Sequence, residues 1–363
     1  MKEVETGEPV RNEESAAVSA AFGPLLLSWN EKDNRREMPW KGEKDPYKIW
    51  LSEVILQQTR VEQGLKYYQN FIKTFPDIKA LAAAPDEQVY KLWEGLGYYS
   101  RCRNLLAAAR HIAGDLGGIF PSRYEDILQL KGVGSYTASA IASFAYGLPY
   151  AVLDGNVFRV LSRIADLAVP IDTTEGKKVF TKLAGETLIH EKAGAYNQAI
   201  MDFGAVVCKP VPDCPSCFFN RHCLAFREGK QLLLPVKEKK VLVKERWLNY
   251  FIPVYNGMTA IRQRTGRDIW QQLFEFPILE TKSAQPLSGL EKGFEQLYGL
   301  SGYEVTDFQS GLRQKLTHQS ICFTFTRAEF NTQPTLPGFT WVKLESLKEY
   351  AFPRTLKGYI DEI

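Results

Sequence analysis

Two carboxylates, four clustered thiols and a glycine hairpin are the parts of this 363-residue chain that could do chemistry. The hairpin is Leu130-Lys131-Gly132-Val133-Gly134-Ser135-Tyr136-Thr137-Ala138. It follows a short amphipathic stretch with Ile127, Leu128 and Leu130 on one side and precedes an apolar helical run. Gly132 and Gly134 suit a tight turn, and a helix starting directly after a turn offers free backbone N–H groups to a phosphate oxygen. The pattern predicts a helix–hairpin–helix, which holds a DNA backbone without reading its sequence. Asp154 stands twenty residues beyond Gly134, in the segment Val152-Leu153-Asp154-Gly155-Asn156-Val157.

The second carboxylate is Glu53, in the segment Ile49-Trp50-Leu51-Ser52-Glu53-Val54-Ile55-Leu56. Burial among such neighbours raises a carboxyl pKa and lets it carry a proton at neutral pH. The plainer alternative is a glutamate at the edge of an amphipathic helix, paired with a base. Gln57 and Gln58 can both donate and accept hydrogen bonds, as base edges require. Trp40, Tyr47, Tyr98 and Tyr99 are either core residues or rings on which bases stack.

Cys208, Cys214, Cys217 and Cys223 fall within sixteen residues, spaced by gaps of five, two and five, with Pro210, Pro212 and Pro215 between them. Four thiolates so close can surround one metal centre. Two disulfides would need an oxidising compartment, for which the sequence gives no sign. Structural zinc favours two close pairs; with a single close pair the spacing leans toward a [4Fe–4S] cluster. Cys102 and Cys322 stand apart and read as small buried hydrophobes.

Around these residues, length and composition suggest two or three domains. A formal net charge of +3 is too slight to name a partner. The apolar run from Ala16 to Trp29 lacks a basic leader, contains Pro24 and is too short to span a membrane. The expectation is a cytoplasmic, monomeric protein with a flexible tail over residues 1–14. Helical spacing dominates residues 15–225: Pro46 to Phe75, Ile78 to Leu96, Leu105 to Leu116, the hairpin pair, Lys177 to Ile189 and Ala193 to Val207. Residues 226–246 read as a linker whose basic run is either a solvated face or a DNA contact. From Trp247 the pattern turns to strands, with a hairpin closed by Asn256-Gly257, further strands at Ile321 to Phe330 and Phe339 to Lys343, and helical segments at Leu290 to Tyr298 and Ser346 to Tyr350.

The segments SEVILQQTRV, WEGLGYYSR, LKGVGSYTA, LDGNVFRVLSR and YNQAIMDFGAVVC, with the four cysteines, resemble the helix–hairpin–helix DNA glycosylase superfamily. In detail they resemble its adenine DNA glycosylase (MutY) family, strongly over about residues 16–230 and more loosely beyond. The resemblance implies a multidomain architecture: an all-α helix–hairpin–helix domain with an iron–sulfur lobe at 208–223, then an α+β Nudix-like domain over 247–363. It implies base excision repair of double-stranded DNA, with adenine opposite 8-oxoguanine or G as the base removed, in the bacterial nucleoid. Glu53 would be the general acid and Asp154 the carboxylate facing the sugar, supported by Tyr136 and Asn156. Arg36, Trp40 and Gln198 would line the base pocket. Gln58, Thr59, Leu96 and Tyr98 would lie near the orphaned purine, with Gly132, Val133 and Gly134 on the backbone. The cysteines would hold a [4Fe–4S] cluster.

In endonuclease III-like relatives, the second residue after the hairpin is a lysine that forms a Schiff base with the sugar. Here it is Tyr136, and a phenol cannot form an imine, so the resemblance implies a glycosylase without lyase activity. Leu273 to Pro277 and Glu295 to Leu300 echo the Nudix fold, yet only Glu291 and Glu295 lie where a Nudix hydrolase needs its acidic cluster. Lesion reading is the expected role, through Thr317 and His318. The chain departs from the family in three places: the first cysteine gap is five residues rather than six, Leu316 replaces an aromatic, and Lys131 replaces a frequent proline.

Overall fold

The computed structural model describes residues 13–239 and 242–363, so most of the expected tail lies outside the described residues and helix α1 begins at Glu13. The helices are α1 (Glu13–Lys32), α2 (Pro46–Leu56), α3 (Val61–Thr74), α4 (Ile78–Ala83), α5 (Asp86–Trp93), α6 (Tyr99–Gly114), α7 (Tyr124–Leu128), α8 (Ser135–Tyr146), α9 (Gly155–Ile164), α10 (Thr174–Thr187), α11 (Ala193–Val206), α12 (Leu224–Arg227), α13 (Leu287–Tyr298) and α14 (Arg354–Glu362). They fall into two compact units. The first comprises residues 13–61, 72–82 and 107–239; the second comprises 62–71, 83–106 and 242–363.

In the first unit, helix starts are set by local chemistry. Asp45 caps α2 by accepting from the Tyr47 amide at 2.9 Å, and Pro46 occupies the first turn, where a missing N–H costs nothing. Thr173 caps α10 through the Gly176 amide at 3.0 Å, and Gly176 is required because a Cβ there would meet the Pro170 carbonyl oxygen. α2 is buried on nearly all sides and packs against α8. A second core joins α1, α9, α10 and α11, with Phe22, Trp29, Phe203, Phe218 and Phe219 in mutual edge and stacked contacts.

The expected helix from Pro46 to Phe75 is two helices. α2 stops at Leu56 because Gln58 turns into the left-handed region at φ 56°, and the chain restarts at Val61. Ile78 to Leu96 is likewise divided, at Pro85, which has no N–H to continue α4. At the hairpin, Gly132 alone takes a positive φ, 80°. Gly134 caps α8 in ordinary extended backbone at φ −100°, so conformational freedom does not explain it. A Cβ there would meet open space, leaving room for a ligand to approach the backbone.

The second unit holds a mixed sheet in the order β3-β2-β1-β6-β5, with β4 pairing β1 and β7 pairing β2. β1 (Lys244–Tyr255) and β2 (Met258–Gln263) form the expected hairpin, with Asn256 and Gly257 both at positive φ. β1 and β6 (Gln319–Phe330) pair in parallel; β3 (Phe274–Glu275), β4 (Ile278–Thr281), β5 (Tyr303–Lys315) and β7 (Thr340–Lys343) join antiparallel. One sheet face packs Phe251 and Phe330 against Leu290 and Phe294 of α13. Tyr250, Phe323, Phe325 and Tyr359 stack elsewhere. The segment expected as helical at Ser346 to Tyr350 is a 3-10 turn over Leu344–Glu349.

Candidate active site and cysteine cavity

α2, the hairpin, α9 and α11 surround one pocket of about 640 Å³ in the first unit. Its lining includes Arg36, Trp40, Glu53, Gln57, Gln58, Thr59, Gly132, Gly134, Tyr136, Asp154, Asn156 and Gln198, twelve of the residues singled out in the sequence. Leu96, Tyr98, Thr317 and His318 belong to the second unit. The Val133 side chain is buried.

Glu53 is 6% exposed. Burial pushes its carboxyl up to about 7, and the neighbouring charge of Asp154 adds to the rise, whereas a hydrogen bond from the Tyr136 phenol opposes it. The phenol is itself held far above its ordinary range by burial and by the two carboxylates, so it stays a donor.

Asp154 is the N-cap of α9, so its position follows from helix geometry. Its Oδ1 accepts from the Val157 amide at 2.7 Å and its Oδ2 from Asn156 Nδ2 at 3.0 Å. Burial raises this carboxyl above its ordinary value, and those donors work in the opposite direction. Asn156 Oδ1 in turn accepts from Arg159 at 2.9 Å, and Arg159 also reaches the Cys208 carbonyl at 2.9 Å. Gly204 permits this approach of α11 to α9, since a Cβ would sit 2.8 Å from Asn156 Cβ. Two titratable groups thus face one pocket, one able to carry a proton near neutrality and one whose charged form accepts from two donors. That pairing suits the breaking of a glycosidic bond.

Gln57, singled out with Gln58 for its two-way hydrogen bonding, donates from Nε2 to Thr137 Oγ1 at 3.2 Å and joins α2 to α8 in the pocket wall. Sequence reading missed Met201, which lies 4.0 Å from the Tyr136 hydroxyl, and Asp202. Only Asp202 carried a signal, as a carboxylate one helical turn beyond Gln198.

Cys208, Cys214, Cys217 and Cys223 line one small cavity with Ile164, Phe203, Val207, Phe219 and Phe226. All four are free thiols. Burial pushes Cys217 up to about 11 and Cys223 up to about 12. Arg163 donates to Cys208 Sγ at 3.4 Å and to the carbonyls of Lys209 and Pro210 at 2.6 and 2.9 Å, which fixes the loop to α9. Among the described residues, no three His, Cys, Asp or Glu side chains converge closely enough to hold a metal ion.

In the second unit Tyr98 is 44% exposed and takes a positive φ of 49°. The Arg101 guanidinium lies 5.2 Å from its ring centroid and 5.4 Å from that of Trp93. The Tyr98 hydroxyl is 3.0 Å from Thr317 Oγ1, in the turn between β5 and β6. No helix of the described residues is long and apolar enough to cross a membrane.

Residues 51–183 match the HhH-GPD superfamily of base excision DNA repair proteins, and residues 249–362 match the NUDIX domain. An adenine DNA glycosylase of Buchnera aphidicola from Schizaphis graminum is 36% identical over 266 residues, covering 72% of this chain and 76% of the relative. The human adenine DNA glycosylase is 40% identical over 225 residues, covering 59% of this chain and 41% of that protein. A thermostable thymine-DNA glycosylase superposes with a TM-score of 0.53 at 27% identity, over 60% of this chain and all of that one. A non-covalent endonuclease III–DNA complex shares the fold at a TM-score of 0.50 and 20% identity, over 59% and 97% of the two chains. The chain is a DNA glycosylase and belongs to the adenine DNA glycosylase family.

Proposed function

We propose that this enzyme excises adenine mispaired with 8-oxoguanine or with G in duplex DNA, leaving an abasic site and an intact backbone. The observation that carries the reading is Glu53, a buried carboxyl raised to about 7 in the same pocket as the capped carboxylate of Asp154. Adenine leaves poorly as an anion. Protonated Glu53 gives its proton to a ring nitrogen, so that the base departs neutral. The deoxyribose then develops oxocarbenium character, which ionised Asp154 stabilises by charge or covalently. The Val157 amide and Asn156 keep Asp154 aimed as charge develops. A base in a duplex is out of reach, so adenine must be flipped into the pocket, against Trp40, Arg36 and Gln198. Gln58, Thr59 and the hairpin face the DNA, and Thr317 and His318 read the orphaned lesion with Leu96 and Tyr98 nearby.

Cys208, Cys214, Cys217 and Cys223 would hold a [4Fe–4S] cluster. Their chemistry fits: four half-buried thiols face one apolar cavity, and as thiolates they need positive charge that Arg163 alone cannot balance. A [4Fe–4S] cluster would supply that positive charge. When bound, it supplies a fourfold covalent cross-link of the 208–223 loop.

The test is a glycosylase assay on an A:8-oxoguanine duplex with and without alkali. Free adenine and a strand that breaks only after alkali are expected. Breakage without alkali, or no release of adenine, would overturn the reading.

A further inference from the structure

Asp202 on α11 is a fully buried carboxylate that the reaction does not use, and four donors converge on it. Its Oδ1 accepts from Arg36 Nη1 at 2.9 Å and Gln198 Nε2 at 3.0 Å; its Oδ2 accepts from Asn34 Nδ2 at 2.9 Å and Lys41 Nζ at 3.1 Å. The Asn34 to Lys41 loop, which carries Arg36 and Trp40 to the pocket, is bound further to itself. Asn34 Oδ1 accepts from the Arg36 amide at 3.0 Å, and Lys41 Nζ donates to the Arg36 carbonyl at 2.8 Å. Arg36 and Gln198 line the pocket, and Asp202 lies behind them.

One consequence concerns the polarity of Gln198. An ionised carboxylate only accepts, so the half of the amide that meets Asp202 is the NH₂ group. The other half, Oε1, is what remains for the pocket, and among the described residues Gln198 makes no second hydrogen bond. We propose that Asp202 is a positioning residue for base selectivity: it fixes the Gln198 amide so that the pocket presents an acceptor, which takes a hydrogen bond from a 6-amino purine and repels a 6-oxo purine. A glutamine free to turn over would serve both. The proposal rests on the reading of this pocket as the adenine site.

The test compares single-turnover excision of adenine and of hypoxanthine, each opposite 8-oxoguanine, in the wild type, Asp202→Asn, Gln198→Leu and the double variant. Asparagine can offer either an NH₂ or a carbonyl, so Asp202→Asn releases the amide. The adenine-to-hypoxanthine rate ratio should then fall at least about tenfold, the scale of one hydrogen bond gained or left unmade. Gln198→Leu should lower the ratio as far, and Asp202→Asn should lower it no further in that background. A ratio within twofold of wild type in Asp202→Asn overturns the proposal. So does an equal additional fall in the Gln198→Leu background, which would mean that Asp202 acts through Arg36 or the fold. If Asp202→Asn does not fold, an unchanged ratio in Gln198→Leu overturns it alone. A wild type that releases no adenine would overturn the reading of the site itself; intact adenine release with an unchanged ratio removes only this proposal.

Discussion

The Tyr136 phenol lies against the buried carboxyl of Glu53 and lowers its proton affinity, so the first turn of α8 tunes a group on α2. Burial and the charge of Asp154 raise that affinity, and the phenol restrains it; the balance falls at about 7. A proton held near neutrality is available at working pH and is still acidic enough to transfer.

A pH dependence of rate follows. The protonated form of Glu53 is the active one, so the single-turnover rate should fall as pH rises through about 7. Tyr136→Phe removes the restraining hydrogen bond, and the alkaline limb should move upward while DNA binding persists. Glu53→Gln should lose at least about 10²-fold in excision at any pH and keep duplex affinity. A variant within a few-fold of wild type would remove Glu53 from the role of acid.

The same shift makes a stability prediction. Glu53 binds its proton more tightly folded than unfolded, so ionising it disfavours the native state. Its contribution is intact below the unfolded value of 4.5 and is lost progressively up to about 7. The loss amounts to roughly 3 kcal/mol. Glu53→Gln has no such penalty, so its melting temperature relative to wild type should climb between pH 5 and pH 8. A constant difference across that range would show that the carboxyl does not titrate there.

Asp154 and Tyr136 separate hydrolysis from lyase chemistry. Asp154→Asn keeps an acceptor for the Val157 amide but supplies no charge to the sugar cation, and single-turnover excision should be abolished. With a phenol at position 136, borohydride should trap no covalent complex with the wild type, and Tyr136→Lys should gain weak trapping. A high trapped yield with the wild type would contradict a hydrolytic mechanism.

Anaerobically purified protein should be brown and contain about four irons per chain. Cys214→Ala should be poorly soluble, since the remaining three thiols line a cavity walled by Ile164, Phe203 and Phe219. Iron and sulfide analysis beside the visible spectrum decides the matter: stoichiometric zinc without iron, from iron-replete growth, excludes the cluster.

Much of the site was legible because its residues carry their own local context. Glu53 lies in an apolar run, Asp154 follows the glycine hairpin and its helix, and the cysteines are near in sequence. Asp202 was not, because its partners Arg36, Lys41 and Asn34 lie 166, 161 and 168 residues away. The break after Leu56 was hidden for a different reason: nothing in Gln57-Gln58-Thr59 marks a left-handed residue as a glycine would. β5 escaped because register shifts between Val305 and Asp307 and between Gln309 and Leu312 interrupt the period of two by which a strand is recognised. Gly134 was read as a residue needing conformational freedom, and its extended backbone uses none.

The last prediction concerns lesion reading by Thr317 and Tyr98. Their hydroxyls are 3.0 Å apart, so each already has a partner in the protein without DNA. 8-Oxoguanine differs from guanine in offering an N7–H donor and an O8 acceptor, and a hydroxyl can answer either one. Engaging the lesion therefore exchanges one hydrogen bond for another, which keeps the gain modest and dependent on the lesion's own donor. Thr317→Ala should lower the preference for A:8-oxoguanine over A:G by roughly 1–3 kcal/mol. Tyr98→Phe keeps the ring over Arg101 and frees Thr317 from that exchange, so it should leave the preference unlowered, and the double variant should match Thr317→Ala alone. Deleting residues 247–363 should lower the preference more strongly, but residues 62–71 and 83–106 cluster with them in one compact unit and would be uncovered, so the point variants are the cleaner measurement. Single-turnover rates on both duplexes decide it: an equal fall on A:8-oxoguanine and A:G would mean that the hydroxyl at position 317 supports the turn between β5 and β6 and does not read the lesion.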